Sequence, residues 1–182
     1  MQKIIECIDK ARYTPRFSTY RLQSKDNVAE HSYTVTMFTL LLCKLLKGEG
    51  LVVDQGKALA FAVMHDFEET LMGDVISPTK AYMEEDYQFA AADQVHKVLG
   101  AFPGKESGSL YGSWRWAKYT SPESKLVIYA DLLATQLVVG GGDPLGAESG
   151  LWCALEQAVN KLLAEEKNLV LKRAVEELRC GI

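Results

Sequence analysis

Apolar positions along this chain recur at intervals of three and four, the spacing of helices with one buried face. Ile4, Ile5 and Ile8 predict a short first helix that ends before Pro15. Residues 14–27 are polar and carry Pro15, Ser18, Ser24 and Asn27, so they read as an irregular connection. A long apolar-periodic segment from Val28 to Lys47 predicts a second helix, stopped at Gly48 and Gly50. The next helix is predicted from an N-cap at Asp54 to Met72, just before Gly73. Ser77-Pro78 restarts the chain as a helix to Leu99, with proline in its first turn. Residues 100–121 are rich in glycine and serine, and no element is assigned there. Ser121-Pro122-Glu123-Ser124 opens a helix through Val139, ended by glycines 140–142. Leu145 to Lys167 and Asn168 to Arg179 close the chain as two further helices. No hairpin and no internal repeat stands out. The expectation is an all-α bundle of six to seven helices.

Composition narrows this further. A chain of 182 residues, against roughly 150 per domain, predicts one domain over residues 1–182. Apolar residues at 48% can fill a core, and charged residues at 24% exclude a disordered chain. The net charge of −4 argues against binding a nucleic-acid polymer but leaves room for a small anionic ligand held by local cations. Cys7, Cys43, Cys153 and Cys180 form no CxxC pair and read as small buried thiols in helices. The most apolar run, Met37–Leu46, contains Lys44 and is too short to span a bilayer, and the charged N-terminus lacks a signal-peptide core. A cytoplasmic protein without membrane contact is expected.

Chemistry concentrates around two of three histidines. In Ala60-Phe61-Ala62-Val63-Met64-His65-Asp66-Phe67-Glu68-Glu69, a continuous helix puts His65 and Glu69 on one face, with Asp66 and Glu69 three apart. Burying such a cluster is costly unless a cation compensates, and a divalent metal does so economically. His31, 34 residues upstream, and Asp131, centred in the apolar run Leu126–Leu133, are the natural further ligands. His96 lies on a mixed helix face and reads as structural. Trp114, Arg115 and Trp116 read as packed onto the core rather than as a flap over a substrate.

His31, His65-Asp66 and Asp131 together resemble the H…HD…D pattern of HD-domain metal-dependent phosphohydrolases. Longer stretches sharpen the resemblance: Arg16-Phe17 with Asn27-Val28-Ala29-Glu30-His31-Ser32; His65-Asp66-Phe67-Glu68-Glu69 with Met72-Gly73-Asp74 and Pro78-Thr79-Lys80; and Ala130-Asp131-Leu132. Over residues 1–140 the chain is similar to 5′-deoxynucleotidases of the YfbR type and to phage dATP triphosphohydrolases of the DatZ type. The resemblance implies an HD-type helical domain that binds one divalent transition metal per subunit, Mn²⁺, Co²⁺, Fe²⁺ or Zn²⁺, through His31, His65, Asp66 and Asp131. It makes Glu69 the acid/base group, and Asp74 an assistant in that step or a ligand of the sugar 3′-hydroxyl. Arg16 and Lys80 would hold phosphate. Phe17, where relatives often carry tryptophan, would pack against C2′ and favour deoxyribose.

The implied reaction is removal of phosphate from deoxyribonucleoside 5′-monophosphates. The alternative is release of triphosphate from a dNTP such as dATP at the same site, and a catalytically degenerate nucleotide-binding module is the third reading. Ile128 stands three residues before Asp131, where many relatives carry lysine. That favours a monophosphate or shifts the role to Lys125 or Lys118. A homo-oligomer, dimer or larger, is implied by resemblance alone.

Overall fold

Polar caps fix several of the helix starts. In the computed structural model, which describes residues 1–22, 25–104, 106–118, 121–142 and 149–182, α1 spans Gln2–Ala11 and α2 spans Val28–Gly48. Asn27 caps α2: its side chain accepts from the Glu30 N–H while the Glu30 carboxylate accepts from the Asn27 N–H. Two otherwise orphaned donors are satisfied reciprocally, which sharpens the start of α2 one turn before His31. Asp54 caps α3, Gln55–Met64, by accepting from Lys57 N–H at 3.0 Å. α5 runs Ser77–Leu99 with proline in its first turn, and α7 runs Pro122–Gly142 behind a Ser121–Ser124 hydrogen-bond pair. Asn168 caps α9, Leu169–Arg179.

Three expectations need correction. The segment 54–72 is not one helix: α3 stops at Met64, and a turn over residues 65–68 leads into α4, the single turn Glu69–Met72. The region left unassigned holds α6, Glu106–Trp116. α7 continues through the three glycines, because Gly140 serves packing rather than termination. A Cβ there would come within 2.8 Å of the Trp152 ring. The penultimate helix, α8, is Ser149–Glu165, and its expected start at Leu145 lies outside the described residues. The described chain thus has eight helices plus one helical turn, slightly more than expected. No strand forms among the described residues, only an isolated antiparallel bridge between Pro15 and Asn27.

The main core is a seam between α2, α3 and α7, sealed by α8 and α9. Val35 and Leu42 of α2, Phe61 of α3, Leu126 and Leu133 of α7, and Val175 of α9 are all buried in it. A second cluster joins Cys7 of α1, Tyr87, Val95 and Leu99 of α5, and Trp114 of α6. A third brings Phe17, Leu22 and Val139 against Leu151, Trp152 and Leu155 of α8. Trp114 is therefore core, as expected, whereas Trp116 is exposed. Cys7 and Cys43 are buried free thiols, but Cys153 and Cys180 are exposed, contrary to expectation, because they fall on outward positions of α8 and the end of α9. No helix among the described residues is long and apolar enough to cross a membrane.

Candidate active site

His31 lies in the first turn of α2 and Asp131 midway along α7, so the packing of those helices brings together residues 100 apart in sequence. His31 Nε2 is 2.9 Å from Asp131 Oδ1. His65 reaches the same place from the C-terminal cap of α3. One atom each from His31, His65 and Asp131 all lie within 4.8 Å of one another. Asp66, in the turn after α3, places Oδ2 3.1 Å from His65 Nε2 and 3.7 Å from His31 Nε2. The four residues expected around one ion thus converge. His65 and Glu69 do so across a turn instead of along one helix face.

The donor chemistry of this cluster fits a metal. His65 Nδ1 lies 2.7 Å from the Ala62 carbonyl. A carbonyl only accepts, so Nδ1 carries the proton and the lone pair of Nε2 faces the cluster. Nε2 is buried without a hydrogen-bond partner. Carboxylates and imidazole lone pairs that face one another in a dry interior require a cation or a proton between them. Burial opposes a charge on His65, yet Asp66 and Asp131 prevail and push it up to about 9. Burial likewise opposes ionisation of Asp66, but His65, Arg16 and Lys80 hold its carboxyl far below the usual range. On its other edge, His31 Nδ1 stands 3.4 Å from Asp26 Oδ2. That is a charge contact only, since Nδ1 makes no hydrogen bond.

Glu69 and the cations sit beside this cluster. Glu69 opens α4 and is 1% exposed. Its Oε1 accepts from Lys80 Nζ at 2.6 Å, and its Oε2 has no partner. Burial and the neighbouring Asp66 charge push Glu69 up to about 8, with Lys80 and Arg16 offsetting them only in part. Burial would discharge Lys80, but Glu69 and Asp66 keep its ammonium charged. Arg16 is buried, with NH1 3.5 Å from Asp66 Oδ2, and both Nε and NH1 lack hydrogen-bond partners.

A cavity of about 610 Å³ is lined by the polar side chains of Arg16, Asp66, Glu69, Asp74, Lys80 and Asp131. Phe17, Tyr20, Leu132, Leu151 and Leu155 add apolar and aromatic surface to its wall. Asp74 makes no hydrogen bond within the metal cluster; its Oδ2 accepts from the backbone N–H of Phe17 at 2.8 Å. The two lysines that could have replaced a missing cation at Ile128 lie elsewhere. Lys125 pairs with Glu166 at 3.2 Å beside a separate groove that also contains Ile128. Lys118 bonds Glu68, which is wholly buried and also accepts from Trp114 Nε1 at 2.6 Å. His96 packs against the Tyr111 ring, away from the site, in keeping with a structural role.

Sequence reasoning missed Asp26, Glu68 and the α8 wall. Asp26 falls in an aperiodic loop and carried no signal. Glu68 stands beside Glu69 in an acidic pair and carried no signal of its own. The apolar stripe of α8 was visible but is indistinguishable in sequence from any core face.

Comparison with known proteins bears on the fold and the family. A solved conserved hypothetical protein from Pyrococcus furiosus superposes with a TM-score of 0.79 at 26% identity, covering 98% of this chain and 99% of that one. The HD phosphohydrolase DatZ of cyanophage S-2L, solved with dA and one catalytic Zn²⁺ ion, shares the fold with a TM-score of 0.71 at 17% identity over 95% of this chain and 92% of that one. A 4′-phosphooxetanocin A phosphatase from Priestia megaterium is 31% identical over 81 residues, 44% of this chain and 42% of that protein. The chain spans about half the length of the curated relatives it matches. The family model described as 5′-deoxynucleotidase YfbR-like matches residues 3–138, which hold every residue of the cluster, and the chain belongs to that YfbR-like family.

Proposed function

We propose that this chain hydrolyses the phosphate ester of deoxyribonucleoside 5′-monophosphates, using one divalent transition metal held by His31, His65, Asp66 and Asp131. The observation that carries this reading is the convergence of His31, His65 and Asp131, with Asp131 opening onto a cavity that Glu69, Arg16 and Lys80 also line. Imidazole nitrogen mixed with carboxylate oxygen suits Mn²⁺, Fe²⁺, Co²⁺ or Zn²⁺ better than Mg²⁺ or Ca²⁺. When bound, the metal polarises a phosphoryl oxygen and neutralises charge that develops on it.

This chain's own residues do the rest. Glu69, with a proton affinity near neutrality, takes the proton of the attacking water. The water oxygen bonds phosphorus, the P–O5′ bond breaks, Glu69 passes its proton to O5′, and deoxynucleoside and inorganic phosphate leave. Arg16 offers its unpaired guanidinium donors to phosphate oxygens, and Lys80 adds a point charge. The Phe17 ring takes the sugar edge, where a 2′-hydroxyl would meet an apolar wall. Two cations at the site match one phosphate better than three, and the placement of Lys118 and Lys125 supports the monophosphate reading.

Incubation with dAMP, AMP or dATP and Mn²⁺ or Co²⁺ tests this. Free phosphate from dAMP, with slower release from AMP, is expected. Triphosphate from dATP would move the reading to a dNTP triphosphohydrolase. No product from any substrate, with metal bound, would leave only a nucleotide-binding module.

A further inference from the structure

Phe17 is the one non-glycine residue with positive φ among those described, at +53°. A side chain with a Cβ adopts that left-handed conformation only where its surroundings hold it there. The flanking contacts show what holds it. On one side, Pro15 bridges Asn27 and the Arg16 N–H donates to the Asp26 carbonyl at 3.0 Å. On the other, the Phe17 N–H donates to Asp74 Oδ2 at 2.8 Å, across 57 residues of sequence. Asp74 can reach back because Gly73 before it takes φ +81°, turning the chain out of α4.

Arg16 is therefore bracketed by two long-range hydrogen bonds to the backbone, one at its own amide and one at the next. Its buried guanidinium lies over the Phe17 ring, 5.3 Å from the centroid, with NH1 3.5 Å from Asp66 Oδ2 and no hydrogen-bond partner at NH1 or Nε. We propose that Asp74 is a positioning residue: it pins Phe17 in the left-handed conformation and thereby aims Arg16 at the substrate phosphate. Asp74 then acts neither as an acid/base group nor through the sugar hydroxyl. This inference rests on the reading of Arg16 as a phosphate ligand.

The decisive comparison uses substrates with and without a 3′-hydroxyl, a 2′-deoxy- and a 2′,3′-dideoxynucleoside 5′-monophosphate. Asp74→Ala is expected to lower kcat/KM by about 10- to 100-fold on both alike, the cost of a phosphate-binding group displaced by about an ångström. Inorganic phosphate should weaken as a competitive inhibitor by a similar factor. Asp74→Asn keeps a carbonyl oxygen for the Phe17 N–H and should recover most of the loss. Asp74→Ala added to Arg16→Ala should cost little beyond Arg16→Ala alone, since both act through one group. If Asp74→Ala does not fold, Asp74→Ser, too short to reach the amide, carries the same comparison. A loss confined to the 3′-hydroxyl substrate, or an Asn variant as impaired as Ala, overturns the proposal. Full activity in Arg16→Ala refutes the phosphate reading itself, and the clamp with it, whereas a crippled Arg16→Ala beside an unaffected Asp74→Ala refutes the clamp alone.

Discussion

Glu68 offers a sharp test of how the site is supported. Its carboxylate is wholly buried, yet it is met by the Trp114 indole N–H and by Lys118 Nζ. Its backbone carbonyl also accepts from Leu71 and Met72, so it anchors the turn that carries His65, Asp66 and Glu69. Lys118→Met keeps the aliphatic stem against Trp114 and removes only the charge. One carboxylate oxygen is then left in the interior without a partner. Breaking a buried ion pair on one side costs about 3–5 kcal/mol. Because the Lys118 side chain is 32% exposed and water reaches its head group, the lower figure of about 3 kcal/mol applies. For a chain of this size each kcal/mol moves Tm by about 2–4 °C, so a fall of roughly 6–12 °C is expected. Glu68→Gln in the same background removes the stranded charge and should restore at least half of it. Melting curves by circular dichroism on the wild type, the single variant and the double variant measure this. A Lys118→Met protein that melts within about 2 °C of wild type, or a double variant less stable than the single, would refute the argument.

Glu69→Gln should lower kcat by about 10²- to 10⁴-fold while leaving bound metal unchanged, as read by elemental analysis beside the assay. Saturation with Mn²⁺ or Co²⁺ to about 100 times Kd should stabilise the fold by about 2.7 kcal/mol, and His65→Ala should abolish that rise in Tm; an equal rise in the variant would place the ion elsewhere. Glu123 accepts from Lys57 Nζ at 2.9 Å and from the Asp54 N–H, and these bonds hold its carboxyl below its ordinary value although burial opposes ionisation. A depressed carboxyl stabilises above its unfolded value and loses that contribution as pH falls through its folded one. Urea unfolding of wild type and Glu123→Gln should therefore differ at pH 7 and converge in acid; a gap that widens below pH 4 contradicts the sign.

Much of the fold was legible because its helices carry one buried face and polar caps. Asn27, Asp54, Ser121 and Asn168 each mark a start in the sequence and cap or flank one in the structure. The failures have physical causes. α6 contains Gly108, Gly112 and three serines, a poor helix by propensity, and it forms because Trp114 is buried against α5 and bonded to Glu68. The break after Met64 has no proline or glycine to announce it. It serves the site, since a turn is what lets His65, Asp66 and Glu69 converge from one short stretch. The cluster itself was legible because an acidic run beside buried helix positions is costly without a cation. The contacts of Asp26 and Asp74 were not, because each depends on loop conformation that no periodicity records.

The seam between α2, α3 and α7 buries the main core and also delivers His31, His65 and Asp131. Architecture and competence therefore share one assembly step. A truncated piece that omits any of the three helices forfeits both together, and the arrival of bound metal during refolding would report the completion of that seam.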